Sequence, residues 1–456
     1  MALVLLLILV ITEIGFAVFE LTRSTTKKNW TTKRLCVNGA EALIYLLMIL
    51  FPGIDFSFRF KGLVLLLVIR IIFAFILFLI NRKNEKIKKK VFIVLGAFFT
   101  CNFIISSLAP AFIFKDYKGR PLTGNYEVAE SEAILIDHSR AESFETDGSY
   151  REVPVHFYYP ENVQDINEHS LPLVIFSHGA FGYYQSNTST YMELASHGYV
   201  VVSLDHPYHS FFTKDSDGKT IIADTEFFQD ALRIGNSDGE VSEEEIYETT
   251  SKWMELRIAD MNFVIDTLEN TVATNNMDDS WFVSADSKDD ISNAVKLINI
   301  EKIGLMGHSL GGATAVTVGR RDDISAVIDL DGTMLGEQIG VKDGNPIINE
   351  EPYTTPLLSV DKEDHYQERI EAEKIGYNYA NNVILKNATN GYSTYFKGAE
   401  HMNFTDLPLF SPTLAGMLGT GDIDAGECID QVNGLVLEFF DSFLKESGEF
   451  KVQESY

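Results

Sequence analysis

The chain has 456 residues, 46% hydrophobic and 22% charged, with 12 Pro and 32 Gly. That composition excludes collagen-like, low-complexity and disordered classes, and the length allows two or three domains. A net charge of −28 argues against a nucleic-acid binder, which needs a basic footprint for the phosphates.

The average conceals two unlike parts. Residues 1–114 hold fourteen Lys and Arg against five acids, a net +9, which leaves −37 for the rest. Cys36 and Cys101 lie in or beside apolar runs of the basic part, and Cys428 is the single cysteine of the acidic part. The acidic part therefore has no internal disulfide. No CxxC pair is present, which argues against a thiolate metal site.

Four apolar stretches open the chain, at about Ala2–Phe19, Ala40–Ile54, Gly62–Ile80 and Val91–Phe114. A bilayer-spanning helix takes about 20 apolar residues. The first, third and fourth qualify, and the second does if extended back toward Val37. The first has neither a basic leading region nor a clear A-x-A cleavage site, so it is read as a retained span. Lys and Arg number five in residues 23–34, two in 55–61 and six in 81–90. By the positive-inside rule the two rich loops are cytoplasmic, and everything beyond Phe114 lies outside. The expectation is a multi-pass cell-membrane protein with an extracytoplasmic acidic domain. Glu13 and Arg70 fall inside spans one and three, and buried charge in lipid is expensive unless paired. They are expected to pair with each other as structural glue.

From residue 116 the pattern changes. The domain reading is a membrane region at 1–115, a linker and first strand at 116–150, an α/β domain at 151–446 and a polar tail at 447–456. Predicted strands are Ala133–Asp137, Val153–Tyr159, Leu173–Phe176, Val200–Leu204, Lys302–Met306, Ala326–Leu330, Pro356–Val360 and Ser393–Phe396. Several are continuous Val/Ile/Leu runs, as parallel strands covered on both faces require. Predicted helices are Thr188–His197, Ser242–Glu269, Leu310–Arg320 and Gln431–Leu444, with Ser242 and Glu245 as a capping box. Alternation of this kind predicts a mostly parallel sheet between helices.

The sharpest signal is Gly307-His308-Ser309-Leu310-Gly311-Gly312, between a buried strand and a small-residue helix. Such a strand–turn–helix lifts a serine hydroxyl above the sheet, and the N–H of Leu310 can face a developing oxyanion. The serine needs a base. Only His365 and His401 follow it. His401 sits just after the last strand and is chosen. His365 lies in the acidic run Asp361–His365 and reads as a solvated loop residue. The acid is open between Asp331 and Asp361, each ending a strand, with Asp329, inside its strand, a third option. A second oxyanion donor is expected from Ser177-His178-Gly179-Ala180, after an earlier strand. There the N–H of Ala180 is chemical, and His178 is a buried structural histidine bonding its own loop.

Together these pieces resemble the α/β-hydrolase superfamily and, more narrowly, the plasma-type platelet-activating factor acetylhydrolase family. The likeness rests on Phe176-Ser177-His178-Gly179, the serine turn, Asp329-Leu330-Asp331-Gly332, His401-Met402-Asn403-Phe404 and Gly421-Asp422-Ile423-Asp424. It implies Ser309, Asp331 and His401 as the catalytic set, with Leu310 and Ala180 amides as the oxyanion hole. It also implies serine esterase action on short or oxidised acyl chains of phospholipids, with no metal or organic cofactor. The four spans depart from secreted members. Alternatives are a general carboxylesterase or polyester hydrolase, or a retired hydrolase scaffold serving as a membrane sensor. Phe181, Tyr183, Tyr184, Phe211 and Phe212 flank the expected mouth, individually read as packing residues. The acidic segment Asp215–Glu248 reads as a lid or a solvated loop.

Overall fold

In the computed structural model the described residues are 1–456 apart from 52, 55, 162–165, 236–240 and 286. The chain divides into two units, Met1–Tyr117 with Phe410–Leu414, and Lys118–Leu409 with Ala415–Tyr456.

The first unit holds α1 (Ala2–Leu21), α2 (Lys27–Leu50), α3 (Phe58–Asn81) and α4 (Lys90–Ile113). Three of them, α1, α3 and α4, are long and apolar enough to cross a membrane. Their packed faces are narrow: α1 buries Leu5, Leu9, Glu13, Ala17 and Glu20, a stripe at helical spacing, and exposes Leu3, Leu7, Ile11, Ile14 and Val18. The second expected span differs. Thr26 caps α2 by accepting the Asn29 N–H, so the helix starts at Lys27. Lys27, Lys28, Lys33 and Arg34 are thus helical rather than part of a loop, and the polar first half of α2 sets it apart from the three apolar helices. Arg70 pairs with Glu13 as expected, but also with Glu41 at 2.7 Å. Arg34 reaches Glu13 at 2.5 Å. Two cations and two carboxylates thus neutralise one another inside the bundle, which is how such charges are tolerated away from water.

The second unit runs β1 (Val128–Ala141), β2 (Tyr150–Pro160), β3 (Leu171–Ser177), α5 (Thr188–Ser196), β4 (Val200–Leu204), the hairpin β5 (Phe212–Lys214) and β6 (Thr220–Ile222), α6 (Thr225–Gly235) and α7 (Glu243–Thr274). It continues with β7 (Trp281–Phe282), α8 (Lys288–Leu297), β8 (Ile298–His308), α9 (Leu310–Val318), β9 (Ile324–Leu330), the hairpin β10 (Gln338–Lys342) and β11 (Asn345–Ile348), and β12 (Leu357–Lys362). Last come α10 (Glu363–Ile375), α11 (Ala380–Asn387), β13 (Gly391–Phe396), α12 (Leu407–Phe410), α13 (Pro412–Leu418) and α14 (Ala425–Leu444). Nine strands form one sheet in the order β13-β12-β9-β8-β3-β4-β2-β1-β7. From β4 to β13 neighbours are parallel, while β2, β1 and β7 add antiparallel pairings.

All eight predicted strands fall on strands of this sheet. The reason is burial: Leu173 to Phe176 and Val200 to Leu204 are fully covered, and each buried aliphatic side chain contributes about 1.5–3 kcal/mol. One core, holding Val264, Ile265, Leu268 and Ala294, lies under α7 and α8. The other, holding Leu194, Val432, Val436 and Phe440, lies under α5 and α14. Helix α14 starts six residues before its predicted position because Asp424 caps it through the Gly426 and Glu427 N–H groups. Residues 447–456, read as a polar tail, carry two rings into the fold: Phe450 is buried and Tyr456 stacks on Phe396.

Candidate active site

Three parallel strands end level with one another. Ser177 of β3 pairs with Gly307 of β8, and His308 of β8 with Leu330 of β9. The residues just beyond, His178-Gly179-Ala180, Ser309 and Asp331, therefore emerge at one edge of the sheet. Ser309 has φ 57° and Asp331 φ 51°. A left-handed backbone at a residue with a side chain is costly, and such positions cluster at functional sites. The glycines of the turn answer a spatial demand. A Cβ on Gly307 would lie 2.2 Å from the carbonyl carbon of Gly311, and one on Gly311 would lie 1.9 Å from the Ser177 oxygen.

His401 opens a one-turn 3-10 segment after β13, fixed by reciprocal hydrogen bonds between Glu400 and Asn403. Its Nδ1 lies 2.6 Å from Asp331 Oδ2. Its ring centroid is 4.4 Å from that of His308, whose Nε2 lies 3.0 Å from the His401 carbonyl oxygen. The residue preceding the serine thus touches the histidine twice. A Cβ on Gly179 would lie 3.0 Å from both Ser309 Cβ and His308 Nδ1. Ser309, Asp331, His401 and the loop carrying Ala180 are thus brought together.

Asp331 is gripped by three donors. Oδ1 accepts from the Lys362 N–H and from His365 Nδ1, both at 2.9 Å, and Oδ2 from His401. Burial alone would raise its carboxyl, but the bonds to His365 and His401 outweigh it and hold the group below the usual carboxylate range. His365 is accordingly not the solvated loop residue expected of it. It is buried in the first turn of α10, because Asp331 and Asp361 offer it two carboxylates where its acidic neighbours in sequence suggested solvent. The other two candidate acids make different contacts. Asp361 faces Arg369 and, at 3.4 Å, His365. Asp329 is buried against Gly312 and Gly332, where added Cβ atoms would meet its Oδ1 at 1.9 and 2.2 Å. Burial pushes Asp329 well above its ordinary range. The set Asp331, Asp361 and His365 has metal-ligand spacing. His365 Nδ1 faces Asp331 Oδ1 and Arg369 pairs with Asp361 Oδ2, while Asp361 Oδ1 has no hydrogen-bond partner among the described residues.

Leu310 is the first residue of α9, and N–H groups in a helix's first turn have no intrahelical acceptor. The loop of Ala180 is held from beneath. Arg257 of α7, fully buried, donates to the carbonyls of His178 at 2.6 Å and Gly179 at 3.3 Å. His178 Nδ1 bonds the Gly179 carbonyl and its Nε2 lies 2.8 Å from Ser210 Oγ, the loop-holding part expected of it. Below lies a second layer: Asp260 accepts from Arg151, Arg140 and His206, and His206 Nε2 meets Ser177 Oγ. Sequence reading missed this layer. Its signal was present, because Arg257 and Asp260 interrupt the buried Met254, Met261, Val264 stripe of α7.

Around Ala180 and Leu310 lies an apolar cluster of Phe181, Phe227, Trp253, Met254 and Ala313. Of the five aromatic residues placed at the mouth, Phe181 joins it, with its ring 5.0 Å from Phe227. Tyr184 instead stacks on His156 at 3.5 Å, Tyr183 sits against Phe212, and Phe211 is 63% exposed. Phe227 lies on α6, so part of the acidic segment packs beside the serine turn. Residues 236–240 of that segment lie outside the described residues.

Residues 143–455 match the family model of platelet-activating factor acetylhydrolase, isoform II. The chain belongs to this family. Among curated members, the platelet-activating factor acetylhydrolase of Canis lupus familiaris is 25% identical over 291 residues, 62% of this chain and 60% of that protein. The one from Cavia porcellus is 26% identical over 292 residues, 60% and 57% respectively. The matched region thus spans about 60% of the length of these acetylhydrolase relatives. Among solved structures, ferulic acid esterase from Streptomyces cinnamoneus superposes with a TM-score of 0.50 at 19% identity, covering 74% of this chain and 95% of the esterase. That likeness shows a shared α/β-hydrolase fold in this acetylhydrolase-family chain.

Proposed function

We propose that this chain is a serine esterase acting on carboxylic esters of lipids, with Ser309 as nucleophile, His401 as base and Asp331 as the acid that orients it. The observation that carries the reading is the Asp331–His401 hydrogen bond of 2.6 Å at the sheet edge where Ser309 stands. His401 takes the Ser309 proton as the oxygen attacks the ester carbonyl. The N–H groups of Leu310 and Ala180 receive the oxyanion, His401 protonates the leaving alcohol, and water activated by His401 then releases the acid. Asp331, held ionised, keeps the His401 proton on Nδ1 and so leaves Nε2 free to accept.

Family membership favours short or oxidised acyl chains of phospholipids as substrate. The apolar cluster beside Leu310 and Ala180 offers a surface for the acyl chain. The charge of −37 on the acidic part disfavours anionic head groups. We further propose that α1, α3 and α4, together with the apolar half of α2, anchor the chain in a cell membrane, with the hydrolase unit outside. The esterase fold of the structural neighbour supports a second reading, a general carboxylesterase. Relative kcat/KM on a short-acyl phosphatidylcholine and on p-nitrophenyl butyrate separates the two. In either case Ser309→Ala is expected to lower turnover by about four orders of magnitude or more and to abolish labelling by a fluorophosphonate, with an unchanged thermal melt. Labelling that survives the substitution refutes the assignment.

A further inference from the structure

The reaction above leaves His365 without a part, yet it is built into the site. His365 and Arg369 lie four residues apart in α10 and so share one face of it, and both reach Asp361 at the end of β12. That face meets the end of β9, where Asp331 stands. His365 Nδ1 lies 2.9 Å from Asp331 Oδ1 and 3.4 Å from Asp361 Oδ1. Arg369 pairs with Asp361, and the Tyr379 ring lies 5.5 Å from the imidazole. His365 Nε2 is buried with no hydrogen-bond partner among the described residues. One carboxylate is therefore held by two imidazoles, one on each oxygen.

We propose that His365 is a positioning residue, which anchors Asp331 Oδ1 so that Oδ2 faces His401 and whose charge tempers the pull of Asp331 on the His401 proton. The proposal rests on the catalytic reading of Ser309, Asp331 and His401 given above. The carboxylate torsion of an aspartate is broad. Without its second anchor Asp331 keeps the Lys362 N–H alone on Oδ1 and is freer to turn from His401. The charge matters because His365 faces Asp331, Asp361, Arg369 and the Tyr379 phenol, with His401 across Asp331 and the Lys362–Glu400 pair beside it. Burial lowers the affinity of His365 for a second proton, but the Asp331 bond and the Asp361 carboxylate outweigh burial and raise it above the ordinary value. With carboxylates 2.9 and 3.4 Å from its Nδ1, His365 when protonated partly neutralises Asp331. Replacing it by a neutral donor leaves Asp331 to favour protonated His401 more strongly.

The test uses the full chain in detergent, with p-nitrophenyl butyrate as substrate. His365→Ala is expected to lower kcat by about tenfold or more with little change in KM. His365→Asn places a neutral N–H near the position of Nδ1. It is expected to recover most of kcat while moving the acid limb of the kcat/KM profile up by about half a pH unit or more. A purely structural role would lower the melting temperature and leave that limb in place. Should His365→Asn fold and show the wild-type kcat and the wild-type acid limb, the proposal is overturned. His365→Asn carries this test even if the alanine variant fails to fold. Ser309→Ala is run alongside. If it retains turnover, the catalytic reading falls and the proposal with it. If it is inactive while the His365→Asn profile is unmoved, the proposal alone fails.

Discussion

Two aspartates one strand apart have opposite fates, and the difference lies in their partners. Asp331 meets His401, whereas Asp361 meets Arg369. Asp331→Asn would reverse the tautomer preference of His401, and a loss of kcat of about 10⁴-fold is expected, together with a lowered melt, because the depressed carboxyl stabilises the fold at neutral pH. Asp361→Asn leaves a buried guanidinium without its carboxylate, so its cost falls on stability, about 3–5 kcal/mol, read in a urea titration. Asp205 gives a pH signature. Burial pushes it up to about 7 against bonds from the Tyr184 N–H and the Thr213 hydroxyl. A carboxyl raised in the folded state contributes stability below its unfolded value, near 4, and loses it as pH rises through about 7. Asp205→Asn removes that term, so between pH 5 and 8 the variant's melting temperature should decline less than wild type. An equal decline would show that Asp205 does not titrate there.

Among the elements, the β8–turn–α9 unit was the most legible, since glycine, serine and the apolar strand agree on one local geometry. Its tolerance is correspondingly small. A Cβ at Gly311 meets the backbone oxygen of Ser177 at 1.9 Å, which a flexible side chain cannot relieve. Gly311→Ala should yield little folded protein, measured by thermal melt and fluorophosphonate labelling together. Normal amounts of active Gly311→Ala would mean that the turn adopts another geometry. Helix α7 was less legible in detail. Its Ser242 cap was readable, and the Ser242 hydroxyl accepts the Glu245 N–H. The use of Arg257 and Asp260 was not readable, because whether a charged residue in an apolar stripe meets solvent or a buried carbonyl depends on the strand ends opposite. The same holds for His365, whose sequence neighbours suggest water and whose spatial neighbours exclude it.

For the whole molecule, the division of charge separates two units that the contacts also separate. The proposed topology is checked by labelling intact cells with an impermeant thiol reagent, in a background with Cys36, Cys101 and Cys428 changed to Ser. Asp217→Cys, on the exposed end of the β5–β6 hairpin, should react. Lys86→Cys, in the Lys-rich turn between α3 and α4, should react only after permeabilisation. The reverse pattern would invert the orientation.

By itself the sequence determined the apolar helices α1, α3 and α4, the eight predicted strands and the serine turn, because each is written in local periodicity or in residues adjacent along the chain. Spacing left Asp331 and Asp361 open and the family resemblance pointed to Asp331; only the tertiary structure showed the Asp331–His401 contact itself, where His365 points and what supports the loop of Ala180. Those pairings join residues tens to more than a hundred positions apart, and they follow from strand order and register, which no local pattern encodes.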